Sequence, residues 1–526
     1  MASTASLRSA FKSHSFKGLW QGGSIYFVGN SMQVMAAAWL MIEITGSSFL
    51  AALVQTAVFL PMFLLSLPAG VMADTTDRRR LIVVALIVQA ALVAVLAALL
   101  LAGWAGPGSL LLFTFLAGSC TALLSPAWNS AIADSVPRDD LPQAIVSVSI
   151  AYNVARALGP ALAGVIFAQA GSGWVFAIAV LSTLAMMQSI RRWPPAPHPA
   201  SRLPAERLWG GTLAGLRFAR HSPLILAQLV RTMAYSAAGS ALWALLPVIG
   251  QRQLELGAAG FGLLMACLGG GAVAAGLMMG RLRERFGLEG LVAGAGVAFA
   301  AVMLVAALST LHLLVYAALV IGGGAWMAAM STYNTATQTS APLWVRSRAT
   351  ALHTLSALGS FAIGSAFWGA LSDIVGLSAT LSTAAVCMAF GLLLARPFPL
   401  RMGELPQVTQ ATPWEDLFIV DEPGPEAGPV AVEIIYRIDA GDAADFLDAV
   451  SQMRAPRRRD GATLWRVYRD LADPSRYVER FIVTSWADYL HQRARATQAD
   501  QLLESRVRHF VRPGEPVTMQ HYIAER

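Results

Sequence analysis

Long apolar runs separated by short polar turns occupy the first 400 residues of the chain. A helix that crosses the hydrocarbon core of a bilayer needs about 20 consecutive apolar residues. Twelve runs reach that length, and we therefore predict an all-α membrane region of twelve transmembrane helices. Their approximate spans are 17–42, 49–73, 81–104, 108–133, 143–169, 173–190, 223–249, 258–280, 288–309, 312–337, 347–372 and 376–396.

Arginines lie almost entirely on one side of this predicted array. With the N-terminus inside, the outer loops contain only Arg252, whereas the inner loops contain most of the others. Lys and Arg accumulate on the cytoplasmic side of membrane proteins. The expected placement is a multi-pass protein of the cytoplasmic (inner) membrane with both termini in the cytoplasm. Among the inner-loop arginines are Arg78, Arg79, Arg80, Arg191, Arg192, Arg217, Arg220, Arg281, Arg283 and Arg285.

Composition supports the membrane interpretation. The 526 residues are 56% hydrophobic and only 13% charged, whereas soluble proteins carry about 25% charged residues. The net charge of +7 is explained by inner-face arginines near anionic lipid, and we expect a lipid bilayer rather than nucleic acid as partner. No Cys or His spacing is typical of a metal site, so neither a metal nor a cofactor is expected.

The predicted helices form two related sets of six. Asn129-x7-Pro137-x6-Ala144 recurs as Asn334-x7-Pro342-x6-Ala349, 205 positions later. Two related halves allow a central site to open to each membrane face in turn. The domain prediction is an N-terminal half (1–190), a cytoplasmic middle loop (191–222) and a C-terminal half (223–396). An amphipathic helix over 203–220 is expected within that loop.

A soluble segment follows the last apolar run. Residues 397–428 are rich in Pro and Gly and are predicted to be a linker, and 429–526 are predicted to be a ferredoxin-like cytoplasmic domain. Strands are expected at 430–437, 463–469, 477–484 and 517–522, with helices at 442–453 and 487–508. The order βαββαβ is similar to that of antibiotic-biosynthesis-monooxygenase-like domains, which pair through their sheets. A dimerising or regulatory role is favoured, and a homodimer through this domain is one expectation.

A polar loop between the second and third runs carries a family resemblance. Gly70-x-x-x-Asp74-x-x-x-Arg78-Arg79 resembles the corresponding loop of the major facilitator superfamily, although Thr75 and Asp77 depart from the usual pattern. The stretches 126–141, 153–164 and 334–348 further resemble the enterobactin-exporter-like branch, also called transmembrane secretion effectors. The resemblance implies a transporter rather than an enzyme, which exports a small molecule of siderophore or drug type in exchange for protons. A membrane-tethered redox enzyme and a non-transporting sensor stay open as alternatives.

Polar residues inside apolar helices are candidates for a substrate cavity. Arg156 is the most informative, because it lies about 13 residues into the fifth helix, roughly 20 Å deep at 1.5 Å per residue. A charge at such depth is costly and usually functional. A structural arginine is the alternative for Arg156, and interhelical hydrogen bonding is the alternative for the others. These others are Asn30, Gln33, Gln55, Asn129, Asn153, Asn334 and Gln338.

Three further groups are candidates for the transport mechanism. Gly159, Pro160 and Gly164 are expected to bend the fifth helix and form a tight seam between the halves, with a purely structural kink as the alternative. The resemblance implies that loop charges form an inner latch, and solvated charges are the alternative. Its residues are Gly70, Asp74, Arg78, Arg79 and Asp134. The candidate proton carriers are Glu43, Asp134 and His353; neither acid is central, and a structural histidine is the alternative for His353.

Overall fold

The computed structural model describes residues 10–137, 140–193, 208–342, 344–404, 408–409, 411 and 423–525. Two compact units can be distinguished. The first is built from the described parts of Met1–Leu203, Arg231–Thr332 and Thr354–Arg396. The second is built from those of Pro204–Val230, Tyr333–His353 and Pro397–Arg526. Each unit is described separately below.

The apolar runs are helices. Their bounds are α1 (His14–Thr45), α2 (Ser48–Thr75), α3 (Arg78–Leu101), α4 (Pro107–Asp134), α5 (Leu141–Ala170), α6 (Ser172–Arg192), α7 (Leu208–His221), α8 (Pro223–Val248), α9 (Ala258–Leu308), α10 (His312–Ser340), α11 (Arg346–Val375) and α12 (Leu377–Gly391). Large apolar side chains such as Leu313 and Ile374 point outward, at 83% and 80% exposure. An apolar outer surface is suited to the hydrocarbon core of a bilayer. The short helix α7 lies in the middle loop.

Among the described residues, eleven helices are long and apolar enough to span a bilayer. One of them, α9, is long enough to account for two crossings. At 1.5 Å per residue the 51 residues of α9 would reach about 76 Å, more than twice the hydrocarbon thickness. Gly287 interrupts this helix with φ 64° and ψ −176°. Glycine adopts such a backbone without steric cost because it lacks a Cβ atom. The chain therefore turns at Gly287, and the prediction of twelve spans is confirmed.

The C-terminal region forms a four-stranded antiparallel sheet with helices on one face. Its strands are β1 (Val430–Arg437), β2 (Leu464–Arg469), β3 (Arg476–Val483) and β4 (Thr518–Ile523), in the spatial order β2-β3-β1-β4. Its helices are α13 (Ala443–Ser451), α14 (Arg454–Asp460), α15 (Trp486–Arg495) and α16 (Gln498–His509). Alternate residues of β1 are buried, as expected for a sheet packed on one side. The ferredoxin-like prediction is confirmed.

The structure corrects two predicted helices. The single helix expected over 487–508 is two, because Thr497 caps a new helix by accepting a hydrogen bond from the backbone N–H of Asp500, whose side chain caps Thr497 in return. The helix expected over 442–453 ends at Ser451, and α14 follows it. In the middle loop α7 begins at Leu208, while residues 203–207 lie outside the described residues.

Within the second unit, α7 and the segment before α11 contact the ferredoxin-like domain. Arg217 on α7 donates a hydrogen bond to the carbonyl of Gly461 at 3.1 Å. The guanidinium of Arg495 lies 4.6 Å from the ring centroid of Trp344, within the range of a cation–π interaction. The domain is thereby attached to elements of the middle loop and of the second half.

Candidate functional site

A central cavity of about 660 Å³ lies within the first unit. Side chains from α1, α2, α4 and α5 line it on one side, and side chains from α8 to α11 line it on the other. Ligand pockets usually measure about 300–1,000 Å³. The two halves therefore enclose a space large enough for a drug-sized molecule.

Six of the eight predicted cavity residues line this space: Asn30, Gln33, Gln55, Asn129, Asn153 and Arg156. Asn334 and Gln338 are not among its lining residues. They follow the lining residue Met330 by one and two turns of α10, and Gln338 donates a hydrogen bond to Asn334 at 3.1 Å. Their place in the substrate path therefore stays a prediction.

Arg156 connects the two halves across the cavity. Its guanidinium carbon lies 5.1 Å from the ring centroid of Trp243 on α8 and 6.0 Å from that of Tyr152 on α5. These contacts hold the cation over aromatic faces, yet no hydrogen bond or ion pair to Arg156 occurs among the described residues. The described lining contains no Asp or Glu. The cavity therefore carries a positive charge that its own wall does not neutralise.

Buried hydrogen-bond donors without partners also favour a ligand with acceptor atoms. The indole nitrogens of Trp128 and Trp243 and the hydroxyl of Thr114 are buried and have no hydrogen-bond partner among the described residues. All three residues line the cavity. A buried polar group without a partner is costly, and a bound molecule that carries acceptor atoms would remove that cost.

An aromatic cluster forms the opposite wall. The ring centroid of Trp326 lies 5.9 Å from those of Trp243 and of Phe361, and Phe59 lies 4.9 Å from Phe361. Such spacings are favourable for aromatic pairs. Sequence reasoning missed this wall, because aromatic residues in apolar helices give no contrast. The repeat offers a signal, since Phe361 lies 205 positions after Arg156.

A polar cluster fixes the first half beside the cavity. The hydroxyl of Tyr26 donates to Gln89 Oε1 at 3.1 Å and lies 3.3 Å from the hydroxyl of Thr121. These contacts join α1, α3 and α4 by buried hydrogen bonds, which specify one arrangement of helices. Tyr26 and Thr121 also line the cavity. Neither was singled out from the sequence.

Small residues permit close approach of α5 to α9 and to α1. A Cβ atom placed on Gly164 would lie 2.6 Å from the carbonyl oxygen of Ala258, and one on Gly269 would lie 2.6 Å from Cα of Ala157. Gly159 instead faces α1, where a Cβ atom would lie 2.8 Å from Cβ of Ser31. Pro160 lies inside α5, which continues through it. The contact between halves is therefore made by Gly164 and Gly269.

At the end of the bundle that contains Ser47, a second contact joins the halves. The carboxylate of Asp373 on α11 accepts hydrogen bonds from the Ser47 hydroxyl at 2.8 Å and from the backbone N–H groups of Ser48 and Phe49 at 2.9 and 3.1 Å. A carboxylate at a helix N-terminus satisfies free N–H groups and complements the helix dipole. We call this contact the Asp373 clasp.

The predicted latch lies at the opposite end and inside one half. Arg78 forms an ion pair with Asp134 at 2.8 Å, and Arg79 donates to the carbonyl of Arg191. These contacts connect α3 with α4 and α6, all of the first half. The side chain of Asp74 lies outside the described part of the structure, and Gly70 has no side chain that could form a contact. A latch that closes one half against the other therefore stays a prediction.

None of the three predicted proton carriers lines the cavity. Glu43 is exposed near the end of α1, Asp134 is paired with Arg78, and His353 is buried on α11. Their role in proton coupling stays a prediction.

Comparison with known proteins agrees with this architecture. A sequence profile of the transmembrane secretion effector family matches residues 5–526. The multidrug efflux pump Tap of Mycobacterium tuberculosis is 28% identical over 395 residues, which cover 72% of this chain and 92% of the pump. The enterobactin exporter EntS of Salmonella typhimurium is 30% identical over 377 residues, which cover 68% of this chain and 84% of the exporter.

Solved transporters share the fold. A bacterial homologue of the human lysosomal transporter Spinster, in an inward-facing conformation, has a TM-score of 0.57 at 17% identity and covers 74% of this chain and 98% of its own. A D-xylose–proton symporter has a TM-score of 0.58 at 12% identity with the same coverage. The chain is therefore a member of the transmembrane secretion effector family, a small-molecule transporter of the major facilitator superfamily rather than an enzyme.

Proposed function

We propose that the chain exports an anionic or acceptor-rich small molecule with an aromatic portion, by alternating access in exchange for protons. The observation that carries this proposal is the unpaired guanidinium of Arg156 in a cavity whose described lining contains no acid. Arginine has five N–H donors in a fixed planar fork. Carboxylate, phenolate or carbonyl oxygens of a substrate are the groups that such a fork binds best.

The substrate class follows from the two walls of the cavity. Polar side chains of the first half, with the unpartnered indole N–H of Trp128, favour acceptor atoms on one side, and the rings of Trp326 and Phe361 favour an aromatic group on the other. A hydrogen bond to a charged group contributes about 1.5–3 kcal/mol. EntS is named for the export of enterobactin and Tap for the export of drugs, so a siderophore-like or drug-like molecule fits this class.

Alternating access is supported by the two contacts between the halves. The glycine seam of α5 and α9 and the Asp373 clasp both join the first half to the second. The positive-inside rule, applied to the arginine-rich loops, supports an outer position for Asp373. Export then requires these contacts to separate, so that the cavity opens outward.

The test is transport into proteoliposomes that contain the purified protein. We expect a proton gradient to drive accumulation of an anionic siderophore-type substrate, and a protonophore to abolish it. In the same assay Arg156→Leu lowers the initial rate at least tenfold, whereas Arg156→Lys retains part of it. Transport that ignores the gradient would contradict proton coupling, and equal rates for wild type and Arg156→Leu would contradict the assignment of Arg156 to the substrate.

Localisation and orientation are part of the proposal. We place the protein in the cytoplasmic membrane with both termini in the cytoplasm, because arginines cluster at the loops after α2 and α6 and at the Gly287 turn of α9. A fluorescent reporter fused after residue 526 should be bright in cells, as expected for a cytoplasmic location. A periplasmic reporter, such as an alkaline phosphatase fusion, that is active at this position would reverse the orientation.

A homodimer through the ferredoxin-like domain is the last component. The sheet face away from its helices exposes Leu464, Tyr468 and Tyr522 at 37%, 48% and 46%, and apolar residues on a bare sheet face favour pairing. Tyr468→Cys should crosslink two copies of the purified full chain under oxidising conditions. Absence of crosslinking, together with a monomeric mass in detergent, would contradict this dimer.

A further inference from the structure

A second cavity lies inside the ferredoxin-like domain. It measures about 290 Å³ and lies between the inner face of the sheet and the three helices α14, α15 and α16. Tyr436 and Phe481 contribute the sheet wall, and Arg457, Tyr489 and Glu504 contribute the helix wall. A space of this size inside a domain of about 100 residues is large, since interiors have few voids larger than a water molecule.

A buried polar network lies behind one side of this cavity. The carboxylate of Glu479, on the inner face of β3, is completely buried and accepts hydrogen bonds from Tyr436 at 2.9 Å, Trp465 at 3.0 Å and Arg457 at 3.1 Å. Arg457 also donates to Glu504 Oε1 at 2.8 Å. Satisfied buried networks rigidify a core. This part of the wall is therefore built and preorganised.

Two side-chain oxygen atoms of lining residues have no partner in this network. Gln492 Oε1 and Glu504 Oε2 are buried and have no hydrogen-bond partner among the described residues. The two residues are only 6% and 8% exposed, and both line the cavity. Native structures leave few buried polar atoms unpaired, and each such atom calls for an explanation. Both atoms are acceptors, so the missing partner is a donor.

The remaining lining defines the rest of the ligand. Three acids and three arginines line the cavity, so their formal charges balance, and burial raises the pKa of Glu504. Apolar and aromatic side chains fill the space between them. An anion gains nothing from two free acceptors, whereas an amine or hydroxyl compound with an apolar body satisfies both. The charged lining residues are Asp460, Asp500, Glu504, Arg457, Arg493 and Arg508, and the apolar ones include Ile434, Met453, Phe481 and Met519.

We propose that this cavity is a ligand site of the C-terminal domain for a small aromatic molecule that carries N–H or O–H donors, with Gln492 and Glu504 as its acceptors. The site is separate from the central cavity in residues and in chemistry, because the central cavity presents unpaired donors and this one presents unpaired acceptors. The domain is then a ligand-binding module, in addition to any role in pairing.

The test is isothermal titration of the purified full chain in detergent with tryptamine and with indole-3-acetate. These probes share one ring system, but one carries an ammonium group and the other a carboxylate. We expect saturable binding of tryptamine at least tenfold tighter than that of indole-3-acetate. Glu504→Gln and Gln492→Leu should each weaken tryptamine binding at least fivefold, whereas Arg156→Leu and Leu502→Gln, the latter exposed on α16, should not change it.

Each other outcome overturns the proposal. No saturable binding of tryptamine, or equal binding of both probes, would contradict the assigned ligand chemistry. Loss of binding in Arg156→Leu would assign the ligand to the central cavity instead. Because Glu504→Gln removes a partner of Arg457, the thermal unfolding of every variant is measured as well. If Glu504→Gln lowers the unfolding temperature, the binding result for Gln492→Leu tests the proposal, because that variant leaves the ion pair between Arg457 and Glu504 intact.

Discussion

Helices α5 and α11 occupy corresponding places in the two halves, and three lining residues of α5 have counterparts on α11 that also line the central cavity. The residues of α11 lie 205 positions after those of α5, which is the offset of the internal repeat. Yet α5 presents aromatic hydroxyl, amide and guanidinium groups, and α11 presents only apolar ones. The pairs are Tyr152 and Ala357, Asn153 and Leu358, and Arg156 and Phe361.

Helices α4 and α10 repeat this contrast. Thr121 and Ser125 line the cavity from α4, and Trp326 and Met330 line it at the same offset from α10. At these five pairs of positions the repeat supplies the same geometry twice, with polar side chains from the first half and apolar ones from the second. Such a cavity orients an amphipathic substrate, because each end of the molecule is satisfied by a different half.

Exchanging the chemistry of the two walls should have the largest effect. Arg156→Phe makes both walls aromatic at this level and removes donors worth about 1.5–3 kcal/mol each, so transport of an anionic substrate should fall about 30-fold or more. Combining it with Phe361→Arg restores the charge on the other wall. If position matters, the double variant stays at least tenfold impaired in initial rate; full recovery would show that only net charge counts.

The seam between the halves gives the next largest effect. Gly269→Ala places a Cβ atom against the backbone of Ala157, whereas the neighbouring Gly270 has no atom within 4 Å of such a position. Transport should therefore drop about tenfold in Gly269→Ala because α5 and α9 cannot close. Gly270→Ala on the same helix should transport normally, since alanine favours the helix. Equal transport rates for the two variants would contradict a role of the contact between Gly269 and Ala157 in transport.

Two tryptophans of the second half test whether the indole N–H beside Arg156 contributes to substrate binding. Trp243→Phe removes an unpartnered indole N–H and weakens the cation–π contact with Arg156, worth about 0.5–2 kcal/mol. The apparent KM for an acceptor-rich substrate should rise about three- to tenfold. Trp326→Phe preserves an aromatic ring in the apolar wall and should raise KM less than twofold. A larger increase in KM for Trp326→Phe than for Trp243→Phe would contradict the role assigned to the Trp243 indole N–H.

The smallest effect should come from the charged groups at the two ends. Asp373→Asn weakens a contact that crosses the halves, whereas Asp134→Asn weakens one inside a single half. We expect labelling of a cysteine at Ala52, opposite Gly369 on α11, to become about two- to threefold faster in Asp373→Asn. In Asp134→Asn it should not change. Faster labelling in Asp134→Asn alone would show that the Arg78–Asp134 ion pair, and not the Asp373 clasp, controls access to Ala52.

Much of this fold follows from the sequence because a bilayer imposes long apolar helices. Six cavity residues could be predicted for a related reason, since a polar side chain stands out in an apolar helix and is costly there. Asn334 and Gln338 are not among the lining residues, although Gln338 donates a hydrogen bond to Asn334, and their place in the substrate path stays a prediction. The split at Thr497 was missed because capping depends on a local hydrogen-bond exchange that hydrophobic periodicity does not record.

Other parts of the site could not be read from the chain. Aromatic residues such as Trp326 and Phe361 are indistinguishable from core residues until the helices are packed. Asp373 and its backbone partners are more than 320 residues apart, and no local pattern connects them. The unpaired indole nitrogens are defined only by the absence of neighbours, which is a property of the packed structure.

The central claim is that Arg156 selects the charge of the substrate. Initial rates of transport into proteoliposomes should be compared for 2,3-dihydroxybenzoate and dopamine, which share a catechol ring but carry opposite charges, in wild type and in Arg156→Gln. The account predicts at least a tenfold preference for 2,3-dihydroxybenzoate in wild type and loss of that preference in Arg156→Gln. Faster transport of dopamine by wild type, or an unchanged preference in the variant, would contradict it.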